Sequence, residues 1–462
     1  MKRVCKSVLS VMLSVVMLMT VILVSQPKEV QAAQAGKNRA IYVVFDNSGS
    51  MYKPGNMAWS QATYAMEVFA AMMNFDSGDV MKVFPMHPVT VNGNAGTDRM
   101  TSITVQSTDD IAQIHNMYTP DPEGTPYTQV NTASAELTAL LDSGAAQEGW
   151  LVVLTDGIFD SDVPAAGLQE DLKQKAASRD NMYVQFLGMG SEVENVPDSN
   201  EDAGLYAQKA GDSAAVINEL AIVSNRIFKR NEYPGYKAGN PLKLDVPLSK
   251  LIVFAQGSDV DIKSLKNKEG GEVKMESCYS VSCSSTDGAG QTSYVTQVPT
   301  KDTSLKGAVA VFADPSSSIV EGEYTLNIEG ADSIQVYYEP NVEFGAELLK
   351  GGKKVDGDTI EGGSYQVKVG FIDLLSGKFI KDSKLLGKPE YTLTVNGQEY
   401  GLGGNGGVTQ TVDIQVDGDE LQLSADVVYL NDYMDHAEKT YKVCTLDMEV
   451  QAPKSVALKE ID

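Results

Sequence analysis

The sequence RAIYVVFDNSGS, residues 39–50, joins an apolar run to a polar loop. Residues 40–45 carry no charge, and such a run is typical of a strand that is buried on both faces of a parallel sheet. Asp46, Ser48 and Ser50 follow at once, so three oxygen-bearing side chains alternate in one tight loop. Because ligands of open α/β sheets bind where strands end, this stretch predicts a parallel sheet with a site at its edge.

Strand-like and helix-like segments alternate from residue 39 to about residue 230. The strand-like segments are 39–45, 79–84, 102–106, 150–154 and 182–187, and the helix-like ones are 58–73, 110–118, 130–141, 168–177 and 213–229. Such alternation predicts a parallel sheet with helices on both faces. We therefore expect a doubly wound, Rossmann-like α/β domain over residues 38–232.

The pattern changes after Asn240. Helical periodicity is nearly absent from there on, and short alternating segments recur between Gly, Asn and Asp turns. Strands at this spacing predict β-sandwiches. With a break near Pro340, we expect one β-sandwich domain over residues 240–340 and a second, Ig-like one over residues 341–462. The segments 321–324 and 361–365 repeat one turn-into-strand pattern that ends in tyrosine.

Two further polar loops complete a candidate metal site. Thr155-Asp156-Gly157 follows the second fully apolar strand, and Gly124-Thr125-Pro126 lies in a loop before a helix. The donors are all oxygens, which suits Mg²⁺ or Mn²⁺ better than zinc or copper. The predicted ligands are Asp46, Ser48, Ser50, Thr125 and Asp156. The alternative is that these side chains only cap strand ends and helix starts.

The series Asp46-x-Ser48-x-Ser50, Thr125 and Asp156 resembles the metal-ion-dependent adhesion site (MIDAS) of von Willebrand factor type A (VWA) domains. The resemblance covers residues 38–232, under half of the chain. It implies that Asp46 and both serines hold the metal, and that Thr125 and Asp156 bind it directly or through water. It also implies that an Asp or Glu carboxylate of a protein partner completes the metal shell, often with a shift of the last helix.

The N-terminus has the layout of a secretory signal peptide over residues 1–32. Lys2, Arg3 and Lys6 form a basic start, an apolar run follows to Val24, and Val30-Gln31-Ala32 offers small residues for cleavage. An uncleaved signal anchor is the alternative. No second apolar run follows, so we expect no transmembrane span in the mature chain.

Charge and residue counts exclude several classes of function. Lys and Arg number 37 against 62 Asp and Glu, a net charge of −25, which argues against binding nucleic acids or anionic lipid surfaces. Three scattered histidines make a His-based zinc site or a His general base a poor interpretation. Cys278, Cys283 and Cys444 follow the leader, an odd number, so at least one thiol is free or pairs with another chain.

The sequence therefore predicts a secreted or cell-surface, Mg²⁺-dependent protein-binding or adhesion module that is not an enzyme. One alternative is a structural or accessory subunit of a membrane or envelope complex, docked through residues 38–232. Another is a metal-assisted hydrolase, whose general base would have to be one of the ligating carboxylates themselves. No Gly-x-Ser-x-Gly elbow supports Ser48 as a nucleophile.

Overall fold

The computed structural model describes most of the chain after the leader. The described residues are 38–52, 57–73, 75, 78–91, 99–119, 124–160, 162–191, 193–228, 230–282, 305–313, 319–402, 407–430 and 433–444. The predicted signal peptide and Cys283 lie outside these residues. Among the helices described, none combines the length and the apolar content that a membrane span requires.

Residues 38–230 form one main sheet with helices packed against it. The strands are β1 Arg39–Phe45, β2 Val80–Pro85, β3 Thr90–Val91, β4 Ile103–Val105, β5 Met117–Tyr118, β6 Glu148–Thr155, β7 Met182–Met189 and β8 Leu205–Ala210, and the helices are α1 Ala58–Ala71, α2 Ile111–His115, α3 Thr128–Asp142, α4 Leu168–Ala176 and α5 Ser213–Phe228. The sheet order is β4-β2-β1-β6-β7-β8, in which only β4 runs antiparallel to its neighbour. Strands β3 and β5 pair separately.

The centre of this sheet is buried on both faces. Every residue of β1 and of β6 is buried, as the apolar run predicts. Ile41, Val43 and Phe45 face the side covered by α1, α2 and α5, whereas Ala40 and Val44 face α3 and α4. This two-sided burial fixes the strand ends, and with them the polar loops that follow.

The strands after residue 230 build four antiparallel or mostly antiparallel sheets. They are β9 Asn231–Glu232, β10 Leu242–Leu244, β11 Leu248–Gln256, β12 Asp261–Asn267, β13 Glu272–Val273, β14 Met275–Ser282, β15 Lys306–Phe312, β16 Gly322–Glu329, β17 Ser333–Pro340, β18 Val342–Lys350, β19 Lys353–Lys354, β20 Thr359–Glu361, β21 Gly363–Asp373, β22 Lys378–Phe379, β23 Glu390–Val395, β24 Gln398–Tyr400, β25 Thr409–Val416, β26 Glu420–Tyr429 and β27 Tyr433–Cys444. The sheets are β10-β16-β12-β13, β14-β15-β11-β17-β9, β19-β18-β21-β22 with β25 beside β21, and β20-β27-β26-β23-β24. The predicted domain limits near residues 240 and 340 stay a prediction.

The predicted fold class is wrong. Strands make up 47% of the described residues and helices 20%, in several sheets with few helices, so this is a mostly β protein, and its described part shows no doubly wound, Rossmann-like VWA domain. The predicted alternation missed β8, and among the described residues between β7 and β8 the only helical element is a 3₁₀ turn, Glu201–Ala203. It also missed the antiparallel direction of β4, which closes one edge of the sheet.

Helix α1 lies between two sheets, and all of its residues are buried. One side packs on the six-stranded sheet. The other side meets the sheet β14-β15-β11-β17-β9 through Ile252, Phe254 and Val311, which belong to the same apolar core as α1. The opposite face of that sheet, with Leu251 and Val253, joins the core of the later strands. The sheet β14-β15-β11-β17-β9 therefore packs against α1 on one face and against the later strands on the other.

Candidate metal centre

Asp46 is the first residue after β1, and the sheet itself fixes its position. Its backbone N–H donates to the Leu154 carbonyl at 2.9 Å, so the β1–β6 pairing continues one residue beyond Phe45. Asp46 is completely buried. Its carboxylate therefore stands beside Thr155, at the carboxyl edge of the two central strands.

Hydrogen bonds gather the first motif around the Asp46 carboxylate. Oδ1 accepts the Ser48 N–H at 3.0 Å, and Oδ2 accepts the Thr155 hydroxyl at 2.6 Å. The hydroxyl oxygens of Ser48 and Ser50 lie 2.9 Å apart. The structure thus brings three of the five predicted ligands together.

Asp156, the first residue after β6, adds a second buried carboxylate. Its Oδ1 accepts the Ile158 N–H at 3.2 Å, and its carbonyl accepts the Glu194 N–H at 2.8 Å. The next residue, Gly157, has φ +80°, and a Cβ there would lie 1.5 Å from the Glu194 carbonyl oxygen. Only glycine allows these two loops to approach so closely.

The two carboxylates repel each other. Burial, followed by the charge of Asp156, raises the pKa of Asp46 to about 7, although hydrogen bonds from Ser48 and Thr155 act in the opposite direction. A buried carboxylate pair is unfavourable unless a proton or a cation neutralises it. Two carboxylates with hydroxyl oxygens form a hard donor set, so these residues fit Mg²⁺ or Mn²⁺.

Thr125 is connected to the site through the loop that follows Asp156. Its N–H donates to Asp160 Oδ2 at 2.6 Å, and its carbonyl accepts the Asp160 N–H at 3.0 Å. The side chain of Thr125 is buried. The Thr125 loop and the Asp156 loop are therefore held side by side, while direct metal contact by Thr125 stays a prediction.

Asn47 and His87 hold the first loop in place and were not predicted from the sequence. The buried Asn47 amide donates to the His87 carbonyl at 2.8 Å and to the Thr119 hydroxyl at 2.9 Å, and it accepts the His87 N–H at 2.8 Å. The His87 ring bonds the Gly124 carbonyl at 2.6 Å. No local signal points to this pair, because the contact joins residues 40 positions apart.

Metal-binding clusters of another type are absent from the part of the chain that the structure describes. No group of three or more His, Cys, Asp or Glu side chains there could hold a metal ion. Cys278 and Cys444, the described cysteines, are free and exposed. A cation at Asp46 and Asp156 would therefore depend on hydroxyls, water or a partner for its remaining ligands.

Comparisons with known proteins give low similarity throughout. No protein-family model matches the chain, and no curated protein matches it. Among solved structures, the chain is similar to the pilus adhesin SpaC from Lactobacillus rhamnosus GG, with 12% identity and a TM-score of 0.29 over 89% of this chain and 54% of that one. The pilus adhesin RrgA from Streptococcus pneumoniae gives 8% identity and a TM-score of 0.27 over 88% and 78% of the two chains.

A third similar structure is proximal thread matrix protein 1 from the mussel byssus, with 15% identity and a TM-score of 0.29 over 43% of this chain and 49% of that one. The chain thus spans about half the length of SpaC and of the byssus protein. TM-scores this low do not establish a shared fold, and nothing about the function of this chain follows from them.

Proposed function

We propose that this chain is a secreted or cell-surface protein-binding or adhesion module that uses a Mg²⁺ ion, or Mn²⁺, at Asp46, Ser48, Ser50, Thr125 and Asp156. The observation that carries the proposal is the pair of fully buried carboxylates at the ends of β1 and β6. The Asp46 carboxylate is fixed by a backbone donor and a hydroxyl donor, and the Asp156 carboxylate by a backbone donor. The repulsion between the two raises the free energy of the metal-free state.

The residues would share the work of holding the cation. Asp46 and Asp156 supply the charge that a strongly hydrated Mg²⁺ needs before it gives up water. Ser48, Ser50 and Thr125 supply neutral oxygens. When bound, the metal supplies a Lewis-acidic position that an Asp or Glu of a protein partner can occupy.

Export through the predicted signal peptide would bring this module outside the cell, where an acidic chain is suited to solubility. A hydrolase is the weaker candidate. Its general base would have to be Asp46 or Asp156, and both are needed as metal ligands.

The test is metal-dependent binding to the surface of the source cells. Labelled wild-type chain should bind in Mg²⁺, detach in EDTA and bind again when Mg²⁺ is restored. Asp156→Ala should bind no better in Mg²⁺ than the wild type does in EDTA, while Asp332→Ala, an exposed control in the turn before β17, should behave as wild type. Binding by the wild type that is indifferent to EDTA would contradict the proposal.

A further inference from the structure

An open groove of about 420 Å³ begins at Gly157, the residue after the buried carboxylate Asp156. We call it the apolar groove, because side chains of Phe159, Val163, Leu168, Val196 and Pro197 line most of it. The groove lies between the loop that follows Asp156, the loop 195–198 and the N-terminal end of α4. All five of these side chains are partly exposed, so the groove is accessible from solvent.

The walls of the groove are held by specific contacts. Asn195, with a left-handed φ of 49°, donates its amide to the Gly157 carbonyl at 3.0 Å. The Gln169 amide makes two hydrogen bonds with the backbone of Asp198, at 2.6 and 3.0 Å. Phe159 packs edge-on against the buried Tyr127 ring, with 5.3 Å between centroids. The groove is therefore a shaped surface that needs little ordering before it binds.

The chemistry of the groove selects its occupant. Among the described residues that line it, one carries charge, the carboxylate Asp198, and none is Lys or Arg. Asp160, on the same loop as Gly157, and Glu194, on the neighbouring loop, are both exposed. An acidic side chain would be repelled there, and an aliphatic side chain would bury apolar surface against Leu168 and Val196.

We propose that the apolar groove receives an aliphatic side chain of the protein partner, next to the Asp or Glu that reaches the metal. This inference rests on the proposed function. Since the groove starts one residue from Asp156, one short partner loop can fill both positions. The partner class is thus a loop in which an acidic residue is followed by Leu, Ile or Met. The metal recognises the carboxylate, and the groove recognises the aliphatic side chain.

The experiment uses four cyclic peptides that differ only in the residue after a fixed Asp, which is Leu, Ala, Glu or Lys. Their affinity for the full chain is measured in Mg²⁺ and in EDTA by fluorescence anisotropy. We expect the Leu peptide to bind about tenfold more tightly than the Ala peptide, the effect of burying one aliphatic side chain. The Glu peptide should bind most weakly, and EDTA should abolish binding of all four.

The variant Leu168→Asp tests the groove itself. Leu168 is the first residue of α4, where an added carboxylate favours the helix, so the fold should be retained. The variant should lose the preference for Leu over Ala and keep its Mg²⁺-dependent rise in melting temperature. Leu375→Asp is the control, at a 51% exposed leucine in the turn between β21 and β22, and it should change neither property.

The outcomes separate this inference from the proposed function. Equal binding of the Leu and Ala peptides, strongest binding of the Lys peptide, or an unchanged Leu preference in Leu168→Asp would overturn the groove proposal while metal dependence stands. A wild-type chain whose melting temperature ignores Mg²⁺ and Mn²⁺ would overturn the metal site, and the groove proposal with it.

Discussion

At the scale of single residues, the central feature is a pair of carboxylates that the fold forces together. Asp46 and Asp156 each follow a strand whose residues are all buried, and paired strands end at the same edge. The sequence was sufficient to predict this juxtaposition, because two apolar runs each end in Asp. It did not predict Asn47 and His87, since their roles depend on a contact 40 residues apart along the chain.

The first prediction concerns the metal-free site. In EDTA at neutral pH, Asp46→Asn should be more stable than the wild type by up to about 4 kcal/mol, because the pKa of Asp46 is raised from 3.8 to about 7 and each unit corresponds to about 1.4 kcal/mol against the ionised form. In Mg²⁺ the order should reverse, since only the wild type gains binding free energy. Thermal melts in EDTA and in Mg²⁺ measure both effects. An Asp46→Asn variant that gains as much from Mg²⁺ as the wild type would contradict the assignment.

A second prediction concerns His115, at the end of α2. The buried Glu67 of α1 bonds the His115 ring at 3.2 Å and accepts the Tyr279 hydroxyl at 3.1 Å, which joins two helices to β14. The hydrogen bond to Glu67 raises the pKa of His115 above 6.5. The folded state therefore binds this proton more tightly than the unfolded state does.

The stability from His115 is fully present below about pH 6.5 and is lost as the pH rises through the raised pKa. His115→Asn should cost about 1 kcal/mol at about pH 5.5 and much less at about pH 8.5. Urea unfolding of both chains at the two pH values measures this. A difference between the chains that does not depend on pH would show that the ring acts by packing alone.

At the scale of elements, all five α-helices described before residue 230 were predicted from the sequence, whereas the strands β3, β5 and β8 were not. The segments at β1, β6 and β7 are apolar enough to be predicted as buried strands from the sequence alone. Helix α1 was predicted from its Ala and Met spacing, but its burial on all sides could not be, because the second covering sheet comes from residues about 200 positions later. The predicted fold class failed for a related reason, since local alternation shows neither the direction of a strand, as at β4, nor a connection without an α-helix, as before β8.

The repeated tyrosine pattern corresponds to the same hydrogen bond in two sheets. The Tyr324 hydroxyl donates to the Val320 carbonyl at 2.9 Å, and the Tyr365 hydroxyl donates to the Glu361 carbonyl at 2.7 Å, each four residues back. This is the arrangement of a tyrosine corner in β-sandwiches. It pins the turn to the strand that follows.

The third prediction is that Tyr365→Phe and Tyr324→Phe each destabilise the chain by about 1 kcal/mol, because each removes a hydrogen bond to a backbone carbonyl and leaves the ring in place. Tyr206→Phe is the matched control, since the contacts of that ring with Trp150 and Arg226 survive the change. Chemical denaturation measures all three. Equal effects in the control and the two corners would refute a specific role for the corner hydroxyl.

At the scale of the whole molecule, buried charges tie the early sheet to the later ones. Arg230, which is fully buried, donates to Glu339 at 2.7 Å and lies 4.2 Å from the Phe228 ring centre. Burial raises the pKa of Glu339, but Arg230, Lys250 and Arg39 outweigh it and hold that pKa below its usual value. Further along, the Tyr338 hydroxyl donates to the Leu385 carbonyl at 2.7 Å. The hydrogen bonds of Arg230 and Tyr338 could not be predicted from the sequence, because each joins residues that are far apart along the chain.

The fourth prediction is that Arg230→Ala costs about 2–3 kcal/mol and splits one cooperative unfolding transition into two, because it removes the hydrogen-bond partner of the partly buried Glu339 carboxylate at the junction. The double variant Arg230→Met, Glu339→Leu should recover most of the loss. Differential scanning calorimetry of the three chains measures both effects. A single variant that unfolds like the wild type would contradict the coupling.

The most direct test of the central claim is a calorimetric titration of Mg²⁺ and of Mn²⁺ into EDTA-stripped wild type and into Asp46→Ala. We predict one saturable site in the wild type, with the two ions competing for it, and no saturable heat in Asp46→Ala. Absence of a site in the wild type, or an undiminished site in Asp46→Ala, would contradict it.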